Sequence, residues 1–215
     1  MSFLSRLPYF NGAKGEAPPA LSDDRGLLTQ PVGGRWYHLA KQGKVFTGNS
    51  AAAGSVLPIF SNTAQVFGIW NPAGSNVNGV LINVAATYVS TTGAAGGFVL
   101  AVNKNIPGGL ATGAISAFTE GTPERGVVGQ TSGLGGNAIR FTPSAATTVA
   151  PTILRHLGIN QLVLTAADTA NTTFGFNKDF DGDIAIAPGT AVWLCGNIAT
   201  LSIWAASITW AELPA

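Results

Sequence analysis

Charged side chains are scarce in this chain. Only 10% of its 215 residues are Asp, Glu, Lys or Arg, against about 25% in an ordinary soluble domain. A lone body with so few charges leaves much of its surface poorly hydrated, so burial against other subunits is expected. Eleven Lys and Arg against ten acids leave a net charge of +1. That balance argues against a nucleic-acid-binding body, because neutralising phosphates takes clustered cations. Cysteine is nearly absent too. Cys195 stands alone, which rules out an intramolecular disulfide framework. With only His38 and His156 beside it, no Cys/His metal cluster is available. Long apolar runs are missing. The least polar stretch, "LCGNIATLSIWAASITWAELPA" (194–215), is broken by Asn197 and alternates as no lipid-spanning helix needs to. No membrane partner is expected. The opening "MSFLSRLPYFNGAKGEAPP" lacks the apolar centre of a secretory signal, so synthesis in a cytoplasm is expected and the sequon Asn171-Thr172-Thr173 reads as a polar loop.

What is present is turn chemistry and strand chemistry. The 28 glycines punctuate short β-branched and aromatic runs: "RWYHLA" (35–40), "KVFTGNS" (44–50), "GSVLPIF" (54–60) and "AQVFGIW" (64–70). A dense turn cluster, "NPAGSNVNG" (71–79), precedes the long strand "VLINVAATYVS" (80–90). "GGFVLAVNKN" (96–105) reads as its antiparallel partner across "TTGAAGG". "AIRFT" (138–142), "TILRHLG" (152–158) and "QLVLTA" (161–166) follow, the second with a spacing that suits a helix as well as a strand. The C-terminal pattern is clearest: "GDIAIA" (182–187), a "PGT" turn, "AVWLCG" (191–196), then "LSIWAASITWAEL" (201–213). There Trp204, Ala206, Ile208 and Trp210 alternate with smaller residues, so one face is large and apolar. Roughly eight to ten strands without strand–helix alternation predict an all-β, antiparallel two-sheet sandwich or barrel over 35–215. The Gly-rich stretch 104–136 predicts a long loop insertion.

Residues 1–34 show neither period. Pro8, Pro18, Pro19, Pro31 and Gly33-Gly34 predict an extended N-terminal arm. Within it Arg6, Lys14 and Arg25 balance Glu16, Asp23 and Asp24, and the basic excess lies at its root in Arg35, Lys41 and Lys44. Leu4, Leu7, Tyr9, Phe10, Leu27 and Leu28 are the apolar positions that would grip a protein partner by burial.

The stretch "NKDFDGDIAIAPGTAVWL" (177–194) carries the densest run of acids in the chain. Asp179, Asp181 and Asp183 resemble the opening of a calcium loop and are the one weak Ca²⁺ candidate. However, the glycine falls between the second and third aspartates, and the twelfth position is Thr190. A sharp turn at Gly182 into a strand is the stronger expectation. "GNSAA" around Ser50 is an incomplete nucleophile elbow, and "GQTSGLGGN" (129–137) lacks the Gly-Lys-Ser/Thr end of a phosphate loop. Glu120 and Glu124, four apart in a Gly/Pro-rich stretch, read as solvent-facing rather than as a glycosidase pair. Trp36, Trp70, Trp193, Trp204 and Trp210 sit in expected strands, which favours core filling over sugar stacking. No catalytic residue and no cofactor is expected.

The segments "GRWYHLAKQGKVFTGNSAAAGSVLP", "GIWNPAGSNVNGVLINVAATYVS" and "GDIAIAPGTAVWLCG…LSIWAASITWAELP" together resemble the head decoration, or cement, proteins of tailed bacteriophages. The likeness covers 35–103 and 179–214, a little under half of the chain, and rests on turn-and-strand patterns. It implies a jelly-roll body, a homotrimer seated on an icosahedral shell, the major capsid protein as partner, and localisation in the virion. The rival expectation is a carbohydrate- or receptor-binding module on a tail or head fibre, which exposed tryptophans around a groove would favour. A glycan-cleaving enzyme would need two carboxylates about 5–10 Å apart in a cleft.

Overall fold

The structure is a computed structural model that describes residues 20–21, 27–28, 35–90, 96–104, 115–126, 138–160, 175–199 and 202–215. The chain divides into two units, Met1–Tyr37 and His38–Ala215. In the first, β1 (Ala20–Leu21) and β2 (Leu27–Leu28) pair antiparallel, Ala20 opposite Leu28 and Leu21 opposite Leu27. These four are the described residues of the expected arm, 1–34, and they are extended.

Helix α1 (Tyr37–Lys41) replaces the strand expected at "RWYHLA". The aromatic alternation there is short, and Gly43 stops the helix. Its φ is 69° and its N–H donates to the Ala40 carbonyl at 2.8 Å, while Lys44 N–H reaches Leu39 at 2.9 Å. Then come β3 (Val45–Asn49), β4 (Ser55–Val56), β5 (Ala64–Gln65), β6 (Gly68–Asn71), β7 (Val77–Ser90), β8 (Gly96–Asn103), β9 (Ile115–Gly121), β10 (Glu124–Arg125), β11 (Arg140–Thr147), β12 (Thr152–Asn160), β13 (Gly175–Ile186), β14 (Thr190–Gly196) and β15 (Ile203–Pro214).

Two antiparallel sheets pack as a sandwich. The first runs β10-β3-β15-β7-β13, with β4 also on β15. The second runs β12-β8-β14-β6-β11-β5, with β9 on β11. Numbering the principal strands β3, β6, β7, β8, β12, β13, β14 and β15 from first to last gives the orders 1-8-3-6 and 5-4-7-2. That interleaving of first with last and second with second-last is a jelly roll. It also corrects the expected β7–β8 hairpin, for those strands lie in different sheets. Long-range pairing won over local closure because β15 ladders along β7 from Ile203↔Ser90 to Pro214↔Val77. The 104–136 stretch is likewise more than a loop. It contributes β9, whose Ile115 is fully buried, and β10, which pairs Glu124 with Thr47.

The core between the sheets is built by period-2 burial. Trp204, Ala206, Ile208 and Trp210 point inward from β15 as expected, against Phe46, Leu81, Val84, Phe98 and Leu194. Phe98 and Trp204 meet edge-to-face at 4.6 Å between ring centres. In β14, Val192 and Leu194 join this core, while Ala191, Trp193 and Cys195 belong to a second buried cluster with Trp70, Val99 and Ala101. Alternation places that second cluster on the other face of the sheet. A strand buried on both faces explains why "AVWLC" reads as an unbroken apolar run.

Candidate functional site

The aspartate stretch lies in β13 at the outer end of the first sheet. Asp179 pairs with Asn83 and Ile184 with Leu81, so Phe180–Asp183 bulge out opposite Ile82 alone. Asp181 (φ 52°) and Gly182 (φ 91°) take left-handed backbone there. The bulge lets Phe180 drop into the core while Asp179, Asp181 and Asp183 stay exposed. The expected turn leading into a strand is therefore a bulge inside a strand that already began at Gly175. The Pro188–Gly189 turn is as expected, with Gly189 at φ 79°. Asn83 Nδ2 donates to Asp179 Oδ1 at 2.6 Å and also to Asn177 Oδ1. The Arg155 guanidinium lies 5.7 Å from the Phe180 ring. Among the described residues no three His, Cys, Asp or Glu side chains converge on one point. Stripping divalent ions with a chelator is expected to leave the melting temperature unchanged. A fall of several degrees that Ca²⁺ restores would contradict this.

Glu120 on β9 forms a two-pronged pair with Arg140 on β11, at 2.8 and 3.2 Å. The same guanidinium lies 5.0 Å from the Phe118 ring and 5.5 Å from the Trp70 ring. Hydrogen bonding by Arg140 holds the Glu120 carboxyl below its usual range, the wrong direction for a general acid. Glu124 is exposed on β10. His38 and His156 are exposed on α1 and β12. The Ser50 hydroxyl accepts from the Ala206 N–H at 2.9 Å and donates to the Ala51 carbonyl at 3.2 Å. That is a strand-end lock, not a nucleophile. Trp70, Trp193, Trp204 and Trp210 are all buried. Trp36, in the turn before α1 rather than in a strand, is half-buried with the Arg35 guanidinium 5.4 Å from its ring.

Of the positions read as partner contacts, Leu4, Leu7, Tyr9 and Phe10 lie outside the described residues. Leu27 and Leu28 form β2. Arg35 and Lys41 are exposed. Lys44 is half-buried, and its carbonyl accepts from the Glu212 N–H at 2.9 Å. With Gly43, Phe46 and Glu212, Lys44 lines a shallow depression of about 190 Å³. Three features escaped the sequence reading. Val149 (63% exposed), Ile153 (37%) and Leu154 (41%) form an exposed apolar stretch at and just before β12, an outer strand that pairs with β8 on one side.

The second feature is Glu212, which is buried. Its Oε1 accepts from Ile139 N–H at 2.8 Å and its Oε2 from Ala138 N–H at 3.0 Å, with Trp210 Nε1 at 3.5 Å. Its signal was the period of β15, since two residues after inward Trp210 comes an inward position. The third is Cys195, whose Sγ donates to Gln65 Oε1 at 3.1 Å. Burial pushes its thiol up to about 12, so the thiol should resist alkylating reagents until the fold is opened. In the unfolded chain a cysteine ionises near about 8.5. The folded state thus keeps its full relative stability below that pH. It should lose about 1.4 kcal/mol per pH unit above it, until the buried thiol itself ionises. Denaturation of Cys195→Ala against the parent chain across this alkaline range isolates the effect. Parallel curves would refute it.

In comparisons with known proteins, no family model, no curated protein and no solved structure matches the chain.

Proposed function

We propose that this protein is a structural part of a tailed-phage head. It is a decoration, or cement, protein that sits on the shell as a homotrimer, contacts the major capsid protein and ties neighbouring capsomers together. The observation that carries this reading is the jelly-roll strand order, an architecture shared by viral capsid and lectin domains, in a chain with 10% charged residues. Clamping needs no reaction. It needs apolar area at subunit contacts, at about 25 cal/mol per Å², and several weak contacts made at once. Exposed Val149, Ile153 and Leu154 supply such area on the body. The arm, 1–34, supplies Leu4, Leu7, Tyr9, Phe10, Leu27 and Leu28 beside the basic root Arg35, Lys41 and Lys44. The same architecture serves lectins, but burial of Trp70, Trp193, Trp204 and Trp210 removes four stacking platforms from a glycan groove.

Deleting residues 1–34 tests the division of labour. The body is expected to stay folded, because among the described residues its core cluster draws on none before Phe46. Binding to undecorated heads should weaken at least about tenfold, or about 1.4 kcal/mol, with only modest dependence on salt. Equal binding by the truncated chain would move the contact to the sandwich. Binding to a glycan array, and none to heads, would favour the fibre module instead.

A further inference from the structure

Three Asx–Gly steps occur in the chain: Asn11–Gly12, Asn78–Gly79 and Asp181–Gly182. At such a step the glycine nitrogen can attack the side-chain carbonyl carbon of the residue before it, because no Cβ blocks the approach. From the protonated carboxyl of aspartate, the N–Cγ bond forms, the Cγ–OH bond breaks, and the hydroxyl leaves as water with the amide proton. Water then reopens the five-membered imide. Attack at the main-chain carbonyl leaves isoaspartate, with the backbone now running through the side-chain carbon. Asparagine follows the same route but releases ammonia, so its product is heavier. In an unstructured chain Asn–Gly reacts faster than Asp–Gly, since the amide is the better electrophile.

The fold inverts that order. Asn78 and Gly79 lie inside β7, paired with Leu213 and Glu212 of β15, and Gly79 also faces Ile186 of β13. The ladder to β15 at both residues, and to β13 at Gly79, fixes the backbone of this step and limits how far the glycine nitrogen can turn toward the Asn78 side chain. Asp181–Gly182 falls where the β7–β13 register is interrupted, in left-handed backbone at φ 52° and 91°, with Asp181 exposed. The geometry points to Asp181 as a site of spontaneous isomerisation in the native protein, ahead of Asn78. The product has a consequence for the fold. It inserts a methylene into the main chain next to Phe180, whose ring is buried in the core, so aged molecules lose stability.

The experiment incubates the full chain at physiological temperature and neutral pH, folded and in concentrated urea. Peptide fragmentation and isoaspartyl methyltransferase labelling then read both sites. The expected result is isoaspartate at 181 outpacing deamidation at 78 in the folded sample, with the order reversed in urea. Asp181→Glu should abolish the labelled peptide. Asp181→Asn should gain mass at this position faster than Asn78 does in the same folded molecules. A ratio of the two conversions no higher in the folded sample than in urea would overturn the proposal. So would a folded Asp181→Asn chain that reacts no faster there than at Asn78.

Discussion

Glu212→Ala is expected to lower the unfolding free energy by about 3–4 kcal/mol, one of the largest losses for any single side chain here. The carboxylate is buried and accepts hydrogen bonds from two successive backbone N–H groups, Ala138 and Ile139. Bonds to a charged acceptor contribute about 1.5–3 kcal/mol each, and truncation withdraws both while leaving the donors inside. For a body of this size, that corresponds to a fall in melting temperature of about 10 °C. Glu212→Gln keeps the shape but turns one acceptor oxygen into an amide that faces an N–H, so about half the loss is expected. Urea denaturation of the three chains checks both values. A loss below about 1 kcal/mol for Glu212→Ala would mean that the carboxylate does not tie the 138–139 backbone to β15.

The second large effect belongs to Phe141, the peg between the sheets. Its ring leaves no room for side chains at Gly48 on β3 and Gly121 on β9. A Cβ added at either would come within 2.4 or 2.5 Å of it. Phe67 meets the ring edge-on at 5.4 Å. Phe141→Ala should cost about 3–5 kcal/mol through lost burial and the cavity left behind. Gly48→Ala alone should cost about 1–3 kcal/mol by overpacking. In the double variant the new methyl enters the vacated space. The combined loss should therefore fall short of the sum by more than about 1 kcal/mol. Strict additivity would show that the ring and the glycine do not share that space.

Where period decides burial, the chain was readable before its structure was known. The alternation Trp204, Ala206, Ile208, Trp210 identified the inner face of β15, and the tryptophans of β6, β14 and β15 are core residues as their strands implied. Pairing between distant segments was not readable. Nothing near "TTGAAGG" reveals that β7 prefers β15, more than a hundred residues away, over its sequence neighbour β8. The aspartate stretch misled for a related reason. A bulge is defined by the partner strand, so Gly182 looks the same in a turn and in an interrupted ladder. Glu212 was missed because a lone acid near the end of a strand reads as a solvated edge. The period of β15 marks its inward position, but its donors, Ala138 and Ile139, come from a different part of the chain. The partner-contact residues rested on apolar spots in a segment without period, where no alternation links a residue to a face.

The proposed jelly-roll trimer that clamps a phage shell is tested by locating the chain in a reconstruction of the purified particle. Three-fold-related copies of the 38–215 body are expected on the outside of the head, over junctions between capsomers. Each should touch the major capsid protein. Density for this fold on the tail or a fibre, or single copies scattered without three-fold contacts, would contradict it.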